Sequence, residues 1–156
     1  MIDNTIASDC KFDLFNYFKG NTHALGIFED RFGKLRRSFS VNIIGECEHN
    51  TLTLTETFLY NDGIKQTRVW VIQRQGANNF TGQASDICGT AIGTRHQHHF
   101  NWRYKMKLLI GQKPYTVAFN DKLYPLDSTS LFNRATISKW GITLGTVSLY
   151  FKKNAN

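Results

Sequence analysis

Leu52-Thr53-Leu54-Thr55-Glu56-Thr57-Phe58-Leu59-Tyr60 runs into Asn61-Asp62-Gly63 and resumes as Ile64-Lys65-Gln66-Thr67-Arg68-Val69-Trp70-Val71-Ile72. In the first arm every second residue is apolar except Glu56, while Thr51, Thr53, Thr55 and Thr57 suit a wet face, which is the period-two signature of a half-buried strand. Asn-Asp-Gly is a turn sequence, and it sets the register of the second arm. Tyr60 then pairs with Ile64, Phe58 with Gln66, Glu56 with Arg68, Leu54 with Trp70 and Leu52 with Ile72. A carboxylate and a guanidinium are thereby placed opposite each other on an otherwise oily face.

The same reasoning extends outward. Across the loop Gln75-Gly76-Ala77-Asn78-Asn79, pairing Ile72 with Gly82 brings Trp70 near Ala84 and Arg68 near Asp86. Glu56 and Asp86 are thus expected to converge on one guanidinium. Further on, Phe100, Trp102, Tyr104, Met106 and Leu108 share one strand face, and Tyr115, Val117, Phe119, Asp121 and Leu123 share one face of the next. A turn at Ile110-Gly111-Gln112-Lys113 pairs Leu108 with Tyr115 and Trp102 with Asp121, so a third acid points inward, with the Trp102 indole as its expected donor. Gly82, Gly89 and Gly93 mark bends or close backbone approach in the short strands between.

From about Thr22 onward alternating segments follow one another with turn signals between them and no sustained helical period. Strands are expected near 23–32, 35–47, 51–60, 64–75, 79–86, 88–94, 98–109, 114–124, 130–138 and 142–151, with ends uncertain by about two to four residues. Short consecutive connections favour an up-and-down antiparallel meander of roughly eight to ten strands, which can close into a barrel and remove its exposed edges. A sandwich is the second architecture such strands could build. Phe12-Asp13-Leu14-Phe15-Asn16-Tyr17-Phe18 suits a short helix or apolar plug over one barrel end. The expected organisation is an N-terminal segment over residues 1–21, one β-barrel domain over 22–153 and a tail over 154–156.

The chain has 156 residues and a formal net charge of +7, which suits one domain and anionic partners, although solubility explains the charge equally well. Cys10, Cys47 and Cys88 are too few and scattered for a disulfide framework. No apolar stretch is long enough to span a bilayer, and Asp3, Asn4 and Asp9 do not resemble the start of a signal peptide. Localisation is left open by these features, the cytoplasm included.

A series of motifs then becomes recognisable: Phe12-Asp13-Leu14 with Phe18 and Gly20, Asp30-Arg31, Arg37-Ser38-Phe39, Tyr60-Asn61-Asp62-Gly63, Arg68-Val69-Trp70, Trp102-Arg103-Tyr104, Leu123-Tyr124, Asn133 and Lys139-Trp140-Gly141. Together with Glu56, Asp86 and Asp121, in this order, they resemble the bacterial domain-of-unknown-function family three-eight-three-three. The resemblance implies a lipocalin-like barrel of the calycin group and, from the exported lipoproteins among its members, association with the cell envelope. Members commonly carry an acid-acid-Trp run where this chain has Asn120-Asp121-Lys122, and Gly-Asn-Ala where it has His98-His99-Phe100. Cys10 also lacks the small and apolar residues expected before a lipid-attachment site.

Glu56, Phe58, Arg68, Trp70, Asp86, Trp102, Tyr104, Phe119, Asp121 and Leu123 are the candidate ligand-binding residues, with Leu54 beside them. The aromatic and aliphatic members would line a pocket for a small lipid-like or amphipathic molecule, and the charged members would orient its polar end. A neutral or hydroxyl-bearing end is expected, because two internal acids already consume Arg68. The plainer reading of the same charges is an ion network that sets strand register. Two further function classes fit the same residues: an enzyme using Glu56 or Asp86 as acid or base, and a ligand-free envelope scaffold.

No nucleophile elbow, Cys-x-x-Cys pair, His-Glu-x-x-His helix or phosphate loop occurs, and no catalytic residue, metal or cofactor is assigned. His96, His98 and His99 read as a solvated loop, with His96 and His98 on one face. Arg103, Lys105 and Lys107 lie opposite Trp102 and Tyr104, so no basic platform with stacking aromatics forms and nucleic acid is not an expected partner. Peripheral contact with anionic lipid fits the charge, and the oligomeric expectation is a monomer or weak homodimer.

Overall fold

The computed structural model describes residues 12–110 and 112–154. Ten antiparallel strands close into a barrel: β1 (Gly20–Asp30), β2 (Leu35–Glu48), β3 (Thr51–Tyr60), β4 (Lys65–Arg74), β5 (Asn79–Gln83), β6 (Ile87–Arg95), β7 (Phe100–Ile110), β8 (Lys113–Pro125), β9 (Ser130–Lys139) and β10 (Ile142–Lys153). Each strand pairs with its sequence neighbour, and β1 pairs with β10 to seal the sheet. Closure leaves no free edge, which rules out the sandwich. The barrel is all-β, and among the described residues one short helix, α1 (Leu14–Phe18), precedes it.

The expected register is the observed one. Leu52 faces Ile72, Leu54 faces Trp70 and Glu56 faces Arg68 across β3 and β4; Ile72 faces Gly82; Trp102 faces Asp121 and Leu108 faces Tyr115. Gly63 adopts φ 86°, as the β3–β4 turn demands. One boundary differs in a way that matters: the fifth strand stops at Gln83 instead of reaching Asp86. Ile87 N–H bonds back to the Ala84 carbonyl, so Asp86 lies in a turn and reaches Arg68 from there.

Alternation sends one side of every strand inward, and α1 closes one end of that interior. Asp13 caps the helix by accepting from Phe15 N–H and Asn16 N–H at 3.0 and 3.4 Å. Lys153 Nζ donates to the carbonyls of Asn16, Tyr17 and Lys19 at 2.9, 2.6 and 3.0 Å, satisfying the other end of the helix. The buried helix face drives Phe15 against Phe80 and Phe18 against Phe151 at centroid distances of 5.9 and 5.7 Å. Gly45 lies beneath, where a Cβ would strike the Phe18 carbonyl oxygen. This end also carries the β2–β3, β4–β5, β6–β7 and β8–β9 turns, and Phe80, Phe100, Leu52 and Leu131 fill it. Residues 1–11 and 155–156, with Cys10 and its lipid-attachment question, lie outside the described residues.

Candidate functional site: a cavity in the open half of the barrel

Beyond the plugged end the barrel holds a cavity of about 850 Å³, a size typical of small-molecule pockets. It lies toward the end that carries the β1–β2, β3–β4, β5–β6 and β9–β10 turns, where no helix of the described residues caps it. All ten residues singled out from the sequence stand on its wall, and so does Leu54.

Its apolar side is a connected aromatic set. Trp70 meets Trp102 and Tyr104 edge to face at 5.3 and 5.2 Å, and Tyr104 stacks on Phe119 at 5.0 Å. The indole of Trp102 lies flat against Gly82 and Gly93, where any Cβ would collide with its ring. Those glycines therefore serve close approach, as their placement in the sequence suggested.

Its polar side is built from one inward position on each of several strands. Arg68 Nε on β4 donates to Asp86 Oδ2 at 2.8 Å, in a pair with both side chains largely covered. The guanidinium also sits 5.3 Å over the Phe58 ring. The expected convergence of both acids on Arg68 is corrected here. Glu56 faces Arg68 in register, but no ion pair within 4.0 Å forms between them among the described residues, and Glu56 Oε1 has no hydrogen-bond partner there. Asp86, arriving from its turn, takes the Nε edge of the fork; strand pairing places Cα atoms but not the twist of a long side chain.

Asp121 on β8 is also corrected in its donor. Tyr104 Oη, at 3.4 Å, meets its carboxylate in place of the Trp102 indole, which is committed to the glycine bed. Asp121 and Asn133 are 8% and 5% exposed, and one oxygen of each lacks a partner among the described residues. Asn133 was missed as a site residue, although its alternation with Leu131, Ala135 and Ile137 on β9 carries the same signal that exposed Glu56.

Burial dominates the electrostatics. It pushes the Glu56 carboxyl up to about 7, with Asp86 adding to the rise and Arg68 and the Trp70 indole opposing it. Asp121 is likewise raised to about 7 by burial and by Glu56, against contributions from Asn133, Arg68 and Tyr104. Burial works against the Arg68 charge, but Glu56, Tyr104 and Asp86 outweigh it and hold the guanidinium above its ordinary value. Tyr104, raised well above the usual phenol by burial and by Asp121, stays a neutral donor. Two of the three interior carboxyls thus exchange protons near neutrality.

Elsewhere, His96 stacks on His99 at 4.5 Å in the β6–β7 turn, so the pair brought together is His96 with His99 and not His96 with His98. No group of three or more His, Cys, Asp or Glu able to hold a metal occurs among the described residues. Arg103 and Lys105 are exposed on the strand face opposite Trp102 and Tyr104, whereas Lys107 reaches the mouth of the cavity.

Comparison with known proteins agrees with this architecture. The family model "Protein of unknown function (DUF3833)" matches residues 1–153. The chain belongs to this family. No curated protein matches the DUF3833 chain. Among solved structures, it is similar to an S-type phycobiliprotein lyase, CPES, from Guillardia theta, with a TM-score of 0.67 over 91% of each chain at 10% identity. At that identity the likeness is one of fold: a calycin-like barrel.

Proposed function

We propose that this DUF3833 protein binds a small apolar or amphipathic molecule inside its barrel, without chemical turnover, and takes it up through the uncapped end. The observation that carries this reading is the cavity of about 850 Å³, walled by aromatic and aliphatic side chains and holding a few ionisable groups at its side. A barrel serving only as a scaffold gains stability by filling such a volume, since empty apolar space forfeits contacts. The glycine bed under Trp102 supports the same reading, because it holds the indole flat against the wall and leaves the lumen open. The lyase-like neighbour is a barrel of the same kind.

The rim supports a place for loading. Phe32, Leu109 and Trp140 are 80%, 75% and 86% exposed near the tips of three hairpins of the open end, and Arg31, Lys34, Lys107 and Lys139 stand among them. Trp140 adopts φ 52° beside Gly141 at φ 76°, a turn where Asn is the ordinary choice and a bulky residue is strained. Exposed aromatic tips between cations suit the interface of an anionic lipid layer. The reading is therefore of a barrel that rests mouth-down on such a surface while exchanging its ligand.

Nile red, a neutral apolar fluorophore, tests the central claim. Its emission is expected to rise and shift to the blue on binding with micromolar affinity. Leu144→Trp, at the mouth of the cavity, is expected to weaken binding at least tenfold while leaving the thermal midpoint within about 2 °C. A signal unchanged by that substitution would place the dye outside the barrel and end this reading.

A further inference from the structure

We infer that the cavity selects an amphipathic cation, a molecule with a protonated nitrogen at one end of an apolar body, and seats that nitrogen among Glu56, Asp86 and Asp121. This deepens the binding reading above and rests on it. In the buried part of the cavity three carboxyls face one guanidinium, whose Nε edge is already taken by Asp86, while Asp30, Arg36, Arg37 and Lys107 line the mouth. The buried side-chain atoms left without a partner among the described residues are all oxygens: Glu56 Oε1, Asp86 Oδ1, Asp121 Oδ1 and Asn133 Oδ1 on the cavity wall, and Thr22 Oγ1 away from it. Three of the four wall atoms belong to carboxyls, whose chemistry does not depend on how an amide is turned.

A site with acceptors to spare calls for donors. An ammonium group carries up to three of them together with the missing positive charge, whereas a hydroxyl supplies one donor and no charge. A carboxylate or phosphate would add negative charge beside Glu56, Asp86 and Asp121, where carboxyls outnumber the one buried guanidinium. The preference also runs against the protein as a whole. The chain's net charge of +7 attracts anions to its surface, so cation selection, if measured, belongs to the interior.

Proton uptake relieves the same excess when no ligand is present. Glu56 on β3 faces Arg68 and Trp70 from β4, Asp86 from the β5–β6 turn, and Tyr104 and Asp121 from β7 and β8; Asp121 in turn meets Asn133 from β9. Glu56 and Asp121 both titrate near 7. An ammonium ion would take the place of those protons, so its binding strengthens as pH rises from 5.5 to 8.

Competition against Nile red by three ten-carbon chains decides the matter: decylamine, decanol and decanoate, at pH 8 and pH 5.5. Decylamine, protonated throughout this range, is expected to displace the dye at least tenfold better than decanol at pH 8, with decanoate weakest. The margin should shrink several-fold at pH 5.5. Asp121→Asn or Glu56→Gln, whichever is the better folded, should reduce the amine's advantage several-fold and leave decanol unchanged. Decanoate binding as well as decylamine would overturn the inference, as would equal affinities for all three, and either result would leave the cavity-binding reading standing. Failure of Nile red itself to bind would remove both.

Discussion

The two ends of this barrel are made from the same alternating strands and yet are opposite materials. At the plugged end, α1 drives Phe15 and Phe18 into Phe80 and Phe151, and Phe80, Phe100, Leu52 and Leu131 are all but inaccessible. At the other end Phe119 and Leu144 line a void, and large apolar side chains stand in solvent on the turns. Since strand patterning is the same at both, the difference comes from a five-residue helix and the groups that fasten it. One half is packed throughout to hold the barrel together, and the other keeps only a small buried cluster of Met106, Val117 and Ile137 beside the void.

That division is open to direct measurement. Phe80→Ala removes a ring packed on Phe15 and Phe100 and is expected to cost about 3–5 kcal/mol. Phe119→Ala, a deletion of identical chemistry, removes a partly buried ring that stacks on Tyr104 and otherwise borders a space that already exists, so a smaller loss of about 1–2 kcal/mol is expected. Urea unfolding of the two variants, read with matched m-values, makes the comparison. Equal losses would mean that the open half carries as much of the stability as the plugged one.

An intermediate effect should come from the interior carboxyls. Glu56 and Asp121 titrate near 7 in the folded chain, above their ordinary values, so the native state binds more protons than the unfolded one between about pH 4.5 and 7. Stability from these groups is therefore fully present at the acid side and falls as pH rises through that window. Glu56→Gln removes one of the two and should raise stability at pH 8 by on the order of 2 kcal/mol relative to the native chain, with little change at pH 5. A variant destabilised equally at both values would make Glu56 a structural partner of Arg68 and not a buried charge awaiting one.

The contrast between the halves also explains what the sequence could and could not disclose. Register is a counting problem once a turn is located, and Asn61-Asp62-Gly63 was enough to place Glu56 opposite Arg68 and, by extension, Ile72 opposite Gly82. Inward alternation then brought nine residues to one cavity wall, and Asp86 joined them from the β5–β6 turn. Side-chain torsion is not counted this way, so the turn of Arg68 toward Asp86 and of Tyr104 toward Asp121 was out of reach. Asn133 was legible and overlooked. The exposed rim has no periodicity, because its members sit on separate hairpins brought together only by closure of the barrel.

The rim gives the smallest stability effect and a clear functional one. Phe32 and Trp140 touch mostly solvent, so Phe32→Ser with Trp140→Ser should shift folding stability by no more than about 0.5 kcal/mol; relief of the positive φ at Trp140 is not expected from serine. Co-sedimentation with phosphatidylcholine vesicles carrying about a third phosphatidylglycerol is the relevant assay. The native chain should bind them at low salt and release them near 1 M salt, where the screening length falls to about 3 Å. The double variant should bind several-fold less, and purely zwitterionic vesicles should retain little of either. If the native chain ignores anionic vesicles at low salt, the open end does not dock on lipid, and its exposed aromatics face some other partner. If the double variant binds as well as the native chain, the surrounding lysines and arginines act alone and the strained Trp140 has no part in docking.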